Sequence, residues 1–398
     1  METPKLAKIA DITQQLENLY HFQVYNRFPV TIERGLGAKV WDTQGNEYID
    51  ALAGIAVNNL GHCHPKIVEA IKTQAEKLLH VSNFYYTEPQ SLLVKKLSEL
   101  SGLDRIFLCN SGMEAMEASV KLARKWGHAQ GKTGNIISFR QGFHGRSVAT
   151  ITMSSENYQT GFAPLPGGFV QVPFNDFDAL NNMADEQTIA IVFELIQGNS
   201  GINVAEKDFV QNVCQLCTER NILLIIDEVQ TGVGRTGKFW AFEHYGIQPD
   251  IVAAAKALAG GLPIGAMMAK QEIAAALTSG SHGTTFGGNP FTCAVALANL
   301  KAIEDEHIVE QAAEKGAFMM NLIKEKTAGN ANVADVRGLG LMIGVELTIP
   351  GRPVVERMFE RKVLSNAAGG NVLRIVPPLV ITREEIEHVV DVLAESLG

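Results

Sequence analysis

Cysteine is scarce: five residues, an odd number, in a chain of 398. That usage argues against a disulfide framework and for a reducing compartment. Long apolar runs are missing as well. No uncharged stretch reaches membrane-spanning length, and the opening METPKLAKIADITQQ has no apolar core of signal-peptide type. No membrane partner and a cytoplasmic location are therefore expected. Positive charge is short too, with 34 Lys and Arg against 43 Asp and Glu and a formal net charge of −9, so no nucleic-acid partner is expected. No internal repeat or low-complexity tract is visible. What is present, 46% hydrophobic and 19% charged residues, is an ordinary globular composition. The length exceeds what one compact core holds, so a large domain with a smaller companion is expected.

The stretch from Asn221 to Lys256, NILLIIDEVQTGVGRTGKFWAFEHYGIQPDIVAAAK, organises the rest. Ile222 to Ile226 form a continuous apolar run, suited to a strand buried on both faces of a parallel sheet. Asp227 and Glu228 stand where that strand ends, and ligands of open α/β sheets bind at such ends. A second apolar segment, Ile251 to Ala255, runs into Lys256. An acid and a lysine at two strand ends suit pyridoxal phosphate: the acid keeps the pyridine nitrogen protonated and the lysine forms the Schiff base.

Taken in order, residues 1 to about 30 predict a short helix and an extended approach, and residues 30 to 50 a pair of hairpin-like strands. His62 and His64 in GHCHP read as a turn before Pro65, not as metal ligands, and no metal is assigned. SNFYYTEPQ is an aromatic cluster of core type, although Tyr85 and Tyr86 could line a pocket. In RIFLCNSGMEAMEASVKLARKW a short strand turns at Asn110-Ser111-Gly112 into a helix, with Ser111 and Glu114 as a capping box. Such a helix start either binds an anion or is simply capped. GHAQGKT and GVGRTG approach nucleotide-binding motifs, but spacing and context fail in both. Cys214 and Cys217 form a C-x-x-C on an amphipathic helical pattern, with no second pair to make a metal site.

Phe143, His144 and Arg146 cluster in a glycine-rich loop after the strand-like NIISF; a ring there can stack on a planar cofactor and an arginine can clasp a carboxylate. AIVFELIQGNSG repeats the pattern, with Glu194 at a strand end. Thr284 and Thr285 could offer hydroxyls to a phosphate. Arg374 lies within an apolar segment and is either buried, wanting an anion, or exposed on an edge strand. Strand, loop and helix alternate from about residue 100 to 290, which assigns the α/β class.

GHCHP, NSGMEA, FHGR, the Asp227 to Ile251 stretch, AKALAGGLPIGA, HGTTFGGNP and RIVPPLVI stand in one order. Together they resemble the class III, ornithine and acetylornithine, branch of the fold-type I pyridoxal-phosphate aminotransferases, from about Phe28 to the C-terminus. The resemblance implies a mostly parallel central sheet with helices on both faces and a smaller α+β domain. Residues 1–55 and 301–398 would contribute to the small domain and residues 56–300 would form the large one. It implies that Lys256 carries the cofactor and moves the proton, and that Asp227 pairs with the pyridinium nitrogen. Gln230 would contact the phenolic oxygen, and Val229 and Phe143 would flank the ring. Ser111, Gly112, Met113 and Thr285 would hold the phosphate, Thr285 from the partner of a homodimer with shared sites.

Substrate contacts are expected at Arg146, Thr284, Arg374 and Asn199, with Arg146 taking the carboxylate remote from the reacting carbon and Arg374 the adjacent one. Transamination between N2-acetylornithine and 2-oxoglutarate in arginine biosynthesis is the implied activity. Ornithine, succinylornithine or 4-aminobutyrate are alternative donors, and a racemase or epimerase or a non-catalytic binding protein are alternative classes. The family usually has Thr or Ala at Met113, Asn at Met116 and glutamate at Asn199. A neutral Asn199 predicts an Arg374 left unmasked.

Overall fold

A computed structural model describes the backbone of residues 3–398 and the side chains from Ile12 onward. A seven-stranded sheet forms its centre, in the order Arg105–Cys109, Gly265–Ala269, Ile251–Ala254, Leu223–Asp227, Ala190–Phe193, Ile136–Phe139, Phe169–Val172. All neighbours pair in parallel except Gly265–Ala269, which runs antiparallel to both of its partners. The strands are apolar without alternation because both faces are covered. Leu224, Ile226, Val252 and Ala254 join one core with the helix Lys207–Glu219. Leu223, Ile225, Ile251 and Ala253 join a second core beneath the helix Gly112–Ala129.

That period of two positions the chemistry. Asp227 has the parity of Leu223 and Ile225, so its side chain emerges on the face of the Gly112–Ala129 helix, at the carboxyl end of the sheet.

The chain ends build smaller sheets. Three N-terminal strands, Ile32–Leu36, Lys39–Asp42 and Glu47–Asp50, replace the expected pair, and Val363–Leu364 from the C-terminal region joins them in parallel beside Glu47–Asp50. A second four-stranded sheet holds Val333–Leu339, Met342–Leu347, Val372–Ile375 and Asn366–Ala368 in that order. Arg374 is therefore on an inner strand, and it is buried. The N-terminal helix, Thr3–Tyr20, is longer than the short one expected.

Both near-motifs for nucleotides have structural uses. Lys132 of GHAQGKT donates to the carbonyls of Thr188, Arg220 and Asn221. Arg235 of GVGRTG is fully buried and donates to the carbonyls of Leu341 and Pro377 and to Asn59 Oδ1, tying its loop to the C-terminal region. Among the described residues no helix is long and apolar enough to cross a membrane.

Candidate active site

A cavity of about 390 Å³ opens at the carboxyl ends of the central strands. Nine residues singled out from the sequence line it: Ser111, Gly112, Met113, Phe143, Arg146, Asp227, Val229, Gln230 and Lys256. Sequence separation of up to 145 positions, from Ser111 to Lys256, is closed by the parallel sheet, which brings each strand-end loop to one rim.

Asp227 is buried, and its Oδ2 lies 2.8 Å from His144 Nδ1 while Oδ1 accepts the Val229 N–H at 3.0 Å. Burial opposes a charge on His144, but the hydrogen bond and the carboxylate of Asp227 outweigh it and raise the imidazole pKa. Lys256 follows the Ile251–Ala254 strand with φ of 43°, a left-handed conformation uncommon outside glycine. Among the described residues its Nζ has no hydrogen-bond or ion-pair partner. Burial pushes its pKa down to about 8, against the pull of Asp227 and with a further push from Arg374.

Ser111 caps the 18-residue helix Gly112–Ala129, its side chain accepting the Glu114 N–H at 3.2 Å. The capping box is not reciprocal. Glu114 Oε2 reaches past Ser111 to the backbone N–H of Asn110 at 2.8 Å and its side-chain amide at 2.9 Å. Gly112 and Met113, in the first turn, line the cavity at the positive end of the helix. Gly112 is required by contact: a Cβ there would stand 2.6 Å from Val229 Cγ1.

Arg146 is exposed at the cavity's lip, has no carboxylate partner among the described residues, and lies over the Tyr158 ring with Cζ 4.2 Å from its centroid. Phe143 meets Tyr158 edge-on at 5.2 Å. Arg374 does not line the cavity, but its Nη1 lies 3.4 Å from Gln230 Oε1, so the two are contiguous. Asn199 Oδ1 accepts from the same Nη1 at 2.9 Å. Thr284 is also outside the lining; its Oγ1 accepts from Asn110 Nδ2 at 3.1 Å. Thr285 is exposed on the same loop, away from its own chain's cavity.

Several lining residues were not in the expected set. His144 was seen only as a loop member, and its bond to Asp227 spans 83 positions. Glu194, noted only as a strand-end acid, is buried in the cavity wall, where its Oε2 accepts the Phe143 N–H at 2.9 Å. Burial pushes its pKa up to about 7, against His144. Tyr158, outside the lining but beneath Arg146, carried no local signal at all.

The aromatic cluster departs from a core reading: Phe84 is 91% and Tyr86 100% exposed, because they stand on a surface loop between two helices. His62 and His64 are engaged separately, by Asp50 at 2.8 Å and Glu306 at 3.2 Å. No group of three potential metal ligands occurs among the described residues.

Comparison with known proteins agrees with this geometry. The aminotransferase class-III profile matches residues 21–397. The acetylornithine aminotransferase of Methanocaldococcus jannaschii is 51% identical over 383 residues, covering 96% of each chain. Acetylornithine aminotransferase 1 of Bordetella pertussis is 45% identical over 374 residues, 93% of this chain and 95% of that one. The solved ornithine aminotransferase from Toxoplasma gondii superimposes with a TM-score of 0.94 at 34% identity, covering 98% of this chain and 94% of the other. A second structure of that enzyme is described with pyridoxal phosphate at its active site. The acetylornithine aminotransferase from Elizabethkingia anophelis gives 0.87 at 34% identity over 98% of both chains. A profile match over nearly the whole chain, with half the residues identical to a named relative, establishes that this chain belongs to the class-III aminotransferases, as a fold-type I enzyme dependent on pyridoxal phosphate.

Proposed function

We propose that this enzyme moves the ω-amino group of N2-acetylornithine to 2-oxoglutarate, giving N-acetylglutamate 5-semialdehyde and glutamate, a step of arginine biosynthesis. Relatives named acetylornithine aminotransferase at 43–51% identity support the donor. The observation that carries the reading is a pair of arginines without carboxylate partners among the described residues, Arg146 on the cavity's lip and Arg374 against Gln230. Two such cations suit substrates with a carboxylate at either distance from the reacting carbon.

The cavity fits the cofactor on its own chemistry. It combines an unpartnered lysine amine, a buried carboxylate backed by an imidazole, a phenyl ring, a valine, and an open helix N-terminus. Pyridoxal phosphate, when bound, supplies the electron sink that stabilises negative charge on the substrate carbon. Asp227 holds a protonated ring nitrogen, and His144 keeps that carboxylate ionised and oriented. The N–H groups of Gly112 and Met113, with the Ser111 turn, take the phosphate. Val229 and Phe143 would flank the cofactor's ring, and Gln230 would donate to its oxygen. Lys256 Nζ, held below the usual ammonium range, gives and takes a proton near neutral pH. Arg146 clasps the remote carboxylate and Arg374 the adjacent one.

The active form in this proposal is a homodimer. Phe84, Tyr85, Tyr86 and Phe286 are exposed beside the loop that carries Thr285. Asn83 Nδ2 ties that loop down through the carbonyls of Thr284, at 3.1 Å, and Gly287, at 3.0 Å. An apolar face next to an exposed threonine that does not line its own chain's cavity suits a site shared between copies.

The test is an amino-donor screen with 2-oxoglutarate as acceptor, over N-acetylornithine, ornithine, succinylornithine and 4-aminobutyrate. N-acetylornithine should show the highest kcat/KM. A preference of more than tenfold for ornithine would replace the proposed donor.

A further inference from the structure

Arg374 is a buried cation whose partners are all neutral. It is 3% exposed on the inner strand Val372–Ile375. Nη1 donates to Gly198 O at 3.2 Å, Asn199 Oδ1 at 2.9 Å and Gln230 Oε1 at 3.4 Å, and Nε donates to Asn366 Oδ1 at 3.1 Å. No carboxylate lies within ion-pair distance of it among the described residues. Nη2 makes no hydrogen bond among the described residues. Arg235 Nε is the one guanidinium nitrogen sealed from solvent without a partner among the described residues, so Arg374 Nη2 keeps access to a ligand or water.

The neighbouring acids offset this cation only in part: burial brings its pKa down to about 10, against the pull of Tyr158 and Glu194. Asp227 is committed to His144. Glu194 accepts from Phe143 N at 2.9 Å and Gly198 N at 3.5 Å, and burial pushes its pKa up to about 7, which weakens it as a counter-charge. Lys256, a lysine, brings no negative charge. An ionised guanidinium in such surroundings requires a counter-ion, since a buried charge without one is strongly disfavoured.

The need differs between the two half-reactions. Glutamate and 2-oxoglutarate bring a carboxylate beside the reacting carbon and satisfy Arg374 themselves. An ω-amino donor, in the function proposed above, has only methylenes there and places its carboxylate at Arg146. We propose that Arg374 then holds an exchangeable small monovalent anion, such as chloride or formate, and that the neutral Asn199 is what leaves the place open for it. The anion assists the ω-amine half-reaction by compensating Arg374 and hinders the glutamate half-reaction by competing with the substrate carboxylate. A carboxylate at position 199, 2.9 Å from Nη1 in the present geometry, would remove both effects.

Chloride binding to the holoenzyme is read by ³⁵Cl line broadening at constant ionic strength, with gluconate as the replacement anion. Broadening is expected in the wild type, displaced by glutarate, and lost in Arg374→Gln and in Asn199→Glu. Single-turnover traces should show the N-acetylornithine rate rising about 3- to 10-fold as chloride replaces gluconate, and the glutamate rate falling. Asn199→Glu should flatten both responses, and Asn199→Ala, which stays neutral, should keep them. Unchanged broadening in Arg374→Gln, or the same chloride response for both donors, overturns the inference. Turnover of N-acetylornithine without chloride binding sinks this inference and leaves the proposed function standing. Chloride binding that competes with glutamate, in an enzyme inert toward N-acetylornithine, does the reverse.

Discussion

Replacing Gly112 by alanine should loosen the cofactor site through one contact. The new Cβ would stand 2.6 Å from Val229 Cγ1, 2.8 Å from Cγ2 and 3.3 Å from Cβ. Both methyls face the intrusion, so rotating Val229 about χ1 exchanges one clash for another. Shifting its backbone is no easier, because the Val229 N–H donates to Asp227 Oδ1 at 3.0 Å. Relief therefore comes at the expense of Asp227, the acid proposed to hold the ring nitrogen. Overpacking of this kind costs about 1–3 kcal/mol, which is about a 5- to 150-fold rise in the dissociation constant for pyridoxal phosphate. Titrating apo-protein with the cofactor by absorbance measures it. Val229→Ala removes both methyls, so the double variant should regain about 1 kcal/mol or more of coupling energy. Purely additive single and double changes, or a Gly112→Ala protein that binds like the wild type, would refute the contact.

Three further outcomes are expected. His144→Leu deprives Asp227 of a charge-assisted hydrogen bond worth about 1.5–3 kcal/mol, so kcat should fall about 10- to 100-fold with little change in KM; an unaltered kcat would sink the buttressing role. Tyr158→Leu takes the ring from beneath Arg146 and should raise KM for N-acetylornithine and 2-oxoglutarate about 2- to 5-fold, from the ~0.5–1 kcal/mol of such contacts; an effect confined to kcat would count against it. Glu228 is buried beneath the site, its carboxylate accepting from Thr231 and from Phe242 N, and burial raises its pKa to about 7. Below about pH 4.3 the carboxyl is protonated folded and unfolded alike. Above that the unfolded chain releases a proton that the fold retains, so this contribution to stability is lost as pH rises through 7. Glu228→Gln should therefore gain about 2 kcal/mol relative to wild type between pH 5.5 and 7.5, read from paired Tm values; a pH-independent difference would refute it.

Asp227 and Lys256 were legible in the chain because each closes an apolar run, and the end of a buried parallel strand is where α/β sheets place ligands. Ser111 was legible through its spacing to Glu114, although Glu114 turns to Asn110 instead of closing the box. The bond from His144 to Asp227 was not legible, since it depends on which strands of the sheet are neighbours, and no local pattern encodes that order. The same holds for Tyr158 beneath Arg146 and for the neutral shell around Arg374. The burial of Arg374 could not be decided from its apolar flanks alone. Three separate segments, at 198–199, 230 and 366, had to be brought to it. The aromatics at 84–86 misled because composition alone does not separate a core from an exposed loop between two helices.

The account's central claim is that Lys256 is the lysine that bonds the cofactor. Borohydride reduction of the yellow holoenzyme followed by peptide mapping tests it most directly. A phosphopyridoxyl group on Lys256, and none in Lys256→Ala, is the predicted result; the label on another lysine, or a wild-type protein that takes up no cofactor, would contradict it.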